Sequence, residues 1–293
     1  MKLLAVSDIH YNFPGRKEKI KKLADYVNDS DAKYFIIAGD VGVDYHEIQE
    51  CLSLFQNFKG GKIAVLGNHD LWSTEEDFWT KRENLFDLYK KCGFILLDRK
   101  PFVEQEIAFV GNIGWYDYSF FDPSYLYPES YVRIFKTHEW KKVKELSLED
   151  WLDLLQRKTM WSTTGYIQWN DVNFIKKNIS DEELTDRMVD LFAQHLKSLP
   201  TNVKYVIAVI HHIPFEELIE RREYDNCWSF GNAFVGSKKF GDLIKQDKRI
   251  RIVICGHQHI PRQAVIERNK KERILCYEAS FNENSPCEIY LNF

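Results

Sequence analysis

Three short apolar runs, each closed by polar residues, constrain this chain more than any other feature. "KLLAV" leads to Asp8 and His10, "KYFIIAGD" ends at Asp40, and "KIAVLGNHD" ends at Asn68, His69 and Asp70. Helical faces lie between them: Ile20, Leu23, Ala24 and Val27 fall at i, i+3, i+4 and i+7, and Ile48, Cys51, Leu52 and Phe55 repeat the pattern. The order is β-α-β-α-β. Strands that are apolar throughout, rather than alternating, predict a parallel sheet covered on both faces and joined by right-handed crossovers. Ligands of such sheets sit beyond the carboxyl ends of the strands, where these polar residues fall.

A helix over about 74–92 and the strands "GFILLD" and "IAFVGNIGW" carry the core to about residue 115. Composition then changes. Trp140, Trp151, Trp161 and Trp169 accumulate beside helical stretches such as "DEELTDRMVDLFAQHL", so residues 116–200 read as a mostly helical, aromatic-rich insertion whose rings are packing first and substrate contacts second. Core strands return in "VKYVIAVIHHIPF" and "RIRIVICGHQHIP", with a helix near 237–246 between them. A hairpin around Asn269 to Lys271 and a last strand in "CEIYLNF" are expected to close the chain. The 293 residues thus predict one large α/β domain, 1–293, interrupted by the insertion.

Forty Lys and Arg against 44 Asp and Glu leave a net charge of −4, which provides no general field for nucleic acid or an anionic membrane. With no leader-like start and no membrane-length apolar run, the expected location is cytoplasmic. The six cysteines (51, 92, 227, 255, 276, 287) form no C-x-x-C pair and read as small buried thiols in a reducing compartment.

Two more apolar strands end in His211-His212 and in Gly256-His257-Gln258-His259. Five polar strand ends would then gather at one edge, where buried acids and imidazoles need partners. The simplest shared partner is metal. Asp8, His10, Asp40, Asn68, one of His211 and His212, His257 and His259 make seven donors, too many for a single ion. Two divalent ions bridged by Asp40 give each about four ligands and leave positions for water and substrate. A carboxylate and imidazole set without thiolate favours Mn, Fe, Zn, Co or Ni over Ca or Mg. Asp8 and His10, two apart on an extended segment, are expected to project to the same side.

The series Asp8-x-His10, Gly39-Asp40, Gly67-Asn68-His69-Asp70, His211/His212 and Gly256-His257-x-His259 resembles the calcineurin-like metallophosphoesterase superfamily, over residues 1 to about 115 and 203–293. The resemblance implies a four-layer α/β/β/α sandwich with two central mixed β-sheets, a di-metal centre on their loops, and hydrolysis of a phosphomonoester or phosphodiester by a metal-activated water. It assigns Asp8, His10, His259 and the shared Asp40 to one metal, and Asp40, Asn68, His257 and one of the 211/212 pair to the other. A ligand two residues before Pro214 favours His212, with His211 as the alternative. By the same resemblance His69 is no ligand. It faces the substrate, stabilising the transition state or protonating the leaving oxygen, and Asp70 orients it. A small phosphorylated substrate, nucleotide-type compounds included, is the expected partner. Arg133 and Lys136 of the insertion are candidate charge selectors, and His46, His138 and His195 lack motif support. Alternative functions are a nuclease, which the acidic balance disfavours, a phosphoprotein phosphatase, or a non-catalytic scaffold.

Overall fold

The computed structural model describes residues 1–269, 272–281 and 285–291. The chain runs β1 (Lys2–Val6), α1 (Arg16–Asn28), β2 (Tyr34–Ala38), α2 (Tyr45–Ser53), β3 (Gly61–Val65), α3 (Phe78–Lys91), β4 (Ile95–Leu96), β5 (Phe102–Glu104) and β6 (Ile107–Asn112). It continues through β7 (Tyr131–Arg133), β8 (Trp140–Lys142), α4 (Leu148–Arg157), β9 (Thr159–Ser162), β10 (Gly165–Gln168), α5 (Asp171–Phe174) and α6 (Asp181–Lys197). It returns with β11 (Tyr205–Ile210), α7 (Asn226–Gly231), α8 (Lys238–Gln246), β12 (Ile250–Cys255), β13 (Arg262–Asn269), β14 (Glu272–Glu278) and β15 (Cys287–Tyr290).

Two mixed sheets form the centre. One has the order β15-β1-β2-β3-β4, parallel except for β15. The other has the order β13-β14-β12-β11-β6-β5, parallel between β14 and β6 with an antiparallel strand at each edge. Alternate residues explain why the strands are apolar throughout. Leu3, Ala5, Ile36, Ile63 and Val65 pack against Phe109, Ile207, Val209, Ile252 and Ile254 of the other sheet, forming an inner core. Their neighbours Leu4, Val6, Phe35 and Ala64 face outward and are covered by helices, with Ile20, Leu23, Val27, Ile48 and Leu52 in the same outer core. The result is the four-layer sandwich, with the continuous hydrophobic strands that burial on both faces demands.

Two sequence expectations change in detail. "GFILLD" gives only the two-residue β4, because Asp98 turns inward and accepts hydrogen bonds from Leu66 N (2.9 Å) and Ile113 N (2.8 Å), joining the two sheets. Helices α4 to α6 are present in the insertion, but so is a four-stranded antiparallel sheet, β10-β9-β7-β8. Its strands of three or four residues are too short to show a period in the sequence. Strands β13 and β14 pair antiparallel as expected, although residues 270 and 271 of the anticipated turn lie outside the described residues.

A buried polar hub ties the insertion to the core. Asp181 at the start of α6 accepts hydrogen bonds from Trp115 Nε1 (2.8 Å), Tyr118 Oη (2.7 Å) and Lys158 Nζ (2.6 Å), and pairs with Lys177 at 3.0 Å. Among the described residues no helix is long and apolar enough to cross a membrane.

Candidate metal centre

The five polar strand ends meet at one edge of the sandwich. Asp8, His10, Asp40 and His259 each present a ligand atom within 4.8 Å of the others, and Asp40, His211 and His257 form a second such group. Asp40 belongs to both. Asn68 joins the second group, its Oδ1 lying 3.1 Å from His211 Nε2.

Proton positions show what these atoms need. His211 Nδ1 lies 2.8 Å from the carbonyl of Ala38, and His257 Nε2 lies 3.1 Å from that of Phe234. A carbonyl only accepts, so those nitrogens carry the protons and the lone pairs sit on His211 Nε2 and His257 Nδ1, which face each other at 3.1 Å. Asn68 Oδ1 adds an acceptor, and Asp40 Oδ2 lies 3.5 Å from His211 Nε2, buried without any hydrogen-bond partner. Four acceptors without a proton between them repel one another in a dry setting, and a cation removes that cost. The first group is equally close: His10 Nε2 is 3.1 Å from His259 Nε2 and 3.7 Å from Asp40 Oδ2, and His259 Nε2 is 3.3 Å from Asp8 Oδ1. The residues therefore fit two cations sharing Asp40.

Electrostatics point the same way. Burial lowers His10 to about 3, and it holds His211 and His257 below the usual imidazole range, keeping all three neutral as ligands must be. Asp40 moves up from the usual carboxylate range because it is buried and lies beside Asp8 and Asp70.

The loops reach this geometry through unfavourable backbone. Asp8 (φ 55°), His10 (45°), Asp40 (57°), His257 (82°) and His259 (61°) all adopt left-handed conformations. Non-glycine residues rarely do so, and they do so chiefly where the surroundings impose it, as at functional sites. This revises the expectation for the first motif. Asp8 and His10 share a side by way of two left-handed residues, held by Asp8 N donating to Gly39 O and His10 N to Asp40 O. Gly39 (φ 91°) is required twice over, since a Cβ there would also strike the His211 ring.

A calcineurin-like phosphoesterase family model matches residues 1–261. The chain belongs to that family. It is accordingly a metallophosphoesterase, a hydrolase acting on phosphoester bonds, with a dimetal centre. Two solved structures share the fold of this phosphoesterase. Phosphopantetheinyl hydrolase (PptH) from Mycobacterium tuberculosis aligns over 96% of the chain and 89% of its own, with a TM-score of 0.67 and 19% identity. A dimetal phosphatase from Danio rerio aligns over 95% and 87%, with a TM-score of 0.53 and 12% identity. No curated protein is significantly similar in sequence.

The phosphoesterase departs from the sequence reading at two site residues. His211, not His212, enters the cluster. The alternation of β11 continues past its end, so His211 shares the inner side of Val209, while His212 turns outward against Trp115 and Tyr116 with Nδ1 bonded to Ile113 O at 2.9 Å. Asp70 does not orient His69. Its carboxylate accepts from the backbone N–H of Asp40 (3.1 Å), Val41 (2.8 Å), Gly42 (3.1 Å) and Gly67 (2.8 Å), clamping the β2 and β3 loops together. Burial raises Asp70 to about 6 despite those bonds.

His69 lies at the edge of the cluster, its ring 4.6 Å from that of His10, and is held by stacking on Trp72 at 3.7 Å. Burial and the neighbouring His10 lower it to about 2. His46 and His138 are exposed and His195 is buried on α6, all outside the cluster. Arg133 lies over Trp161 and Lys136 pairs with Glu149, both within the insertion.

One residue of the site carries no motif. Asp171, buried at the start of α5, accepts from Asn68 Nδ2 (2.9 Å) and Trp72 Nε1 (2.7 Å) at one oxygen, and from Trp169 Nε1 (2.9 Å) and Tyr116 Oη (3.0 Å) at the other. Nothing in "QWNDVNF" signals that role.

Proposed function

We propose that this phosphoesterase hydrolyses the phosphoester of a small organic compound, a monoester or diester, in a single displacement by water. The observation that carries the reading is the convergence of two donor groups on Asp40, one of whose oxygens is buried and unbonded. Asp8, His10, Asp40 and His259 would hold one cation, and Asp40, Asn68, His211 and His257 the other. Bound there, two ions of the Mn, Fe, Zn, Co or Ni class would supply an acidified water and the positive charge that phosphoryl oxygens require.

The chain's own residues then place the ester. His69 is neutral at working pH, so it serves as an N–H donor to a phosphoryl or leaving oxygen rather than as a resident imidazolium. Its stack on Trp72 fixes the ring plane, and Phe13, stacked on His10 at 4.6 Å, covers the neighbouring imidazole. His259 is the open side of the centre, its side chain 45% exposed, and gives the ester an approach.

The test is a substrate panel on protein loaded with Mn²⁺: p-nitrophenyl phosphate and its bis ester, cyclic nucleotides, dinucleoside polyphosphates, glycerophosphodiesters, a phosphopantetheinyl ester, a phosphopeptide and single-stranded DNA. Turnover of a small ester, abolished by chelation and by Asp40→Ala, is expected. Preference for the phosphopeptide or DNA, or no turnover with two equivalents bound, would overturn the reading.

A further inference from the structure

We infer that the cleft beside His257 and His259 is a subsite for the organic half of the ester, and that it takes an uncharged apolar or aromatic group and rejects a second anion. This rests on the proposed function. The cleft, of about 460 Å³, is the size of a small-molecule site and includes both histidines in its wall, so a phosphoryl group at the metal centre would extend its substituent into it. The remaining wall is mainly carbon. Ile167 and Trp169 come from the insertion, and Cys227, Trp228 and Val235 from the segment around α7. Trp169 Nε1 donates to Asp171 and Trp228 Nε1 to Glu220 O at 2.8 Å, so neither indole turns a free N–H to the cleft.

Its polar lining is equally committed. Gln258 accepts from Glu220 N (2.7 Å) and donates to Asn232 Oδ1 (2.8 Å). No lysine or arginine lines the cleft among the described residues, and Asp225 is its one carboxylate. A second phosphate or a carboxylate would lose water there and find no lysine or arginine in the wall, the guanidinium of Arg222 being stacked on the Trp228 ring at 3.6 Å.

Two primary alkyl esters of similar intrinsic reactivity decide the matter: 2-phenylethyl phosphate and phosphoglycolate. With Mn²⁺-loaded protein, kcat/KM for the phenylethyl ester should exceed that for phosphoglycolate by about tenfold or more, as burial of an aromatic side chain would give. Gly231 supplies the blocking variant. It lines the cleft, and an added Cβ would meet nothing closer than Ile167 Cδ1 at 3.6 Å, so Gly231→Leu should fill the space, keep the fold and bring the ratio toward one. A preference for phosphoglycolate, or an unchanged ratio in Gly231→Leu, overturns the subsite. Should no ester be hydrolysed, the proposed function falls, and the affinity ratio of the matching non-hydrolysable phosphonates still decides the cleft.

A separate observation, the four donors gathered by Asp171, carries a second inference. The geometry points to Asp171 as a positioning residue for Asn68 and His69. An amide has one donor end and one acceptor end, so Asn68 Nδ2 on Asp171 sends Oδ1 toward His211 and the metal centre. Through its other donor at the same oxygen, Trp72 Nε1, Asp171 also fixes the indole on which His69 stacks.

Asp171→Asn should leave one Mn²⁺ equivalent of the metal-free protein at its wild-type affinity and weaken the other about 10- to 100-fold by calorimetry, the usual cost of losing a partner behind a ligand. Asp181→Asn is the control, because it disturbs another buried carboxylate of the insertion, one that does not touch Asn68. Two equivalents at wild-type affinity in Asp171→Asn, or an equal loss of one equivalent in Asp181→Asn, would overturn the assignment.

Discussion

The strand-end loops and the insertion both bury carboxylates, and they use them in opposite ways. Asp40 is fully buried, yet its Oδ2 has no hydrogen-bond partner, while both oxygens of Asp171 are spent on four neutral donors. Burial alone therefore says little about what an acid does. A carboxylate with an unspent oxygen among lone pairs is built for a cation, and one with every oxygen satisfied is built to hold its neighbours still. The loops supply reacting groups on strained backbone, and the insertion supplies orientation from an ordinary helix start.

That contrast can be broken by substitution. Asp40→Ala should have the largest effect, a loss of turnover beyond the roughly 100-fold typical of outer partners, with loss of metal measured on the same sample. Next, His69→Ala should lower kcat by about 10²- to 10⁴-fold while elemental analysis still finds two metals. Full activity in that variant would remove His69 from the chemistry. Asp70→Asn should destabilise the protein in urea by about 1–3 kcal/mol for each backbone donor left without an acceptor. An altered pH profile with unchanged stability would instead return Asp70 to the service of His69. In the insertion, Asp181→Ala strands Lys158 and Lys177 and should cost about 3–5 kcal/mol, with metal content retained. Loss of metal there would show that the two regions are not separable. The mildest test is titration. Asp40 is raised in the metal-free protein, so protons compete with cations there as pH falls, and Mn²⁺ affinity should weaken on acidification, as calorimetry across a pH series would show.

How much of this could be read in advance follows from the same contrast. β1, β2, β3 and their helices were legible because both faces of each strand are buried and the polar residues begin where the strands stop. Six of the clustered donors sat at the ends of β1, β2, β3 and β12 without ambiguity, whereas His211 depended on where β11 stops and on side alternation, which a count back from Pro214 misjudges. Asp70 stands next to His69 in sequence, but its partners are backbone N–H groups that no side-chain motif records. Asp171 lies 103 residues from Asn68, and only the folded insertion brings them together. The left-handed conformations of Asp8 and His10 were hidden too, since the surrounding hydrogen bonds impose them and the residue types do not.

The Asp70 clamp bears on how quickly and how selectively the centre fills. Holding the β2 and β3 loops by four backbone bonds confines them as the core folds, when ordering costs about 1–2 kcal/mol per residue. An arriving ion then finds these two loops already organised. On that side of the centre capture is a matter of shedding water, and donors that cannot relax favour ions whose radius suits their fixed span over those that need the donors to follow them.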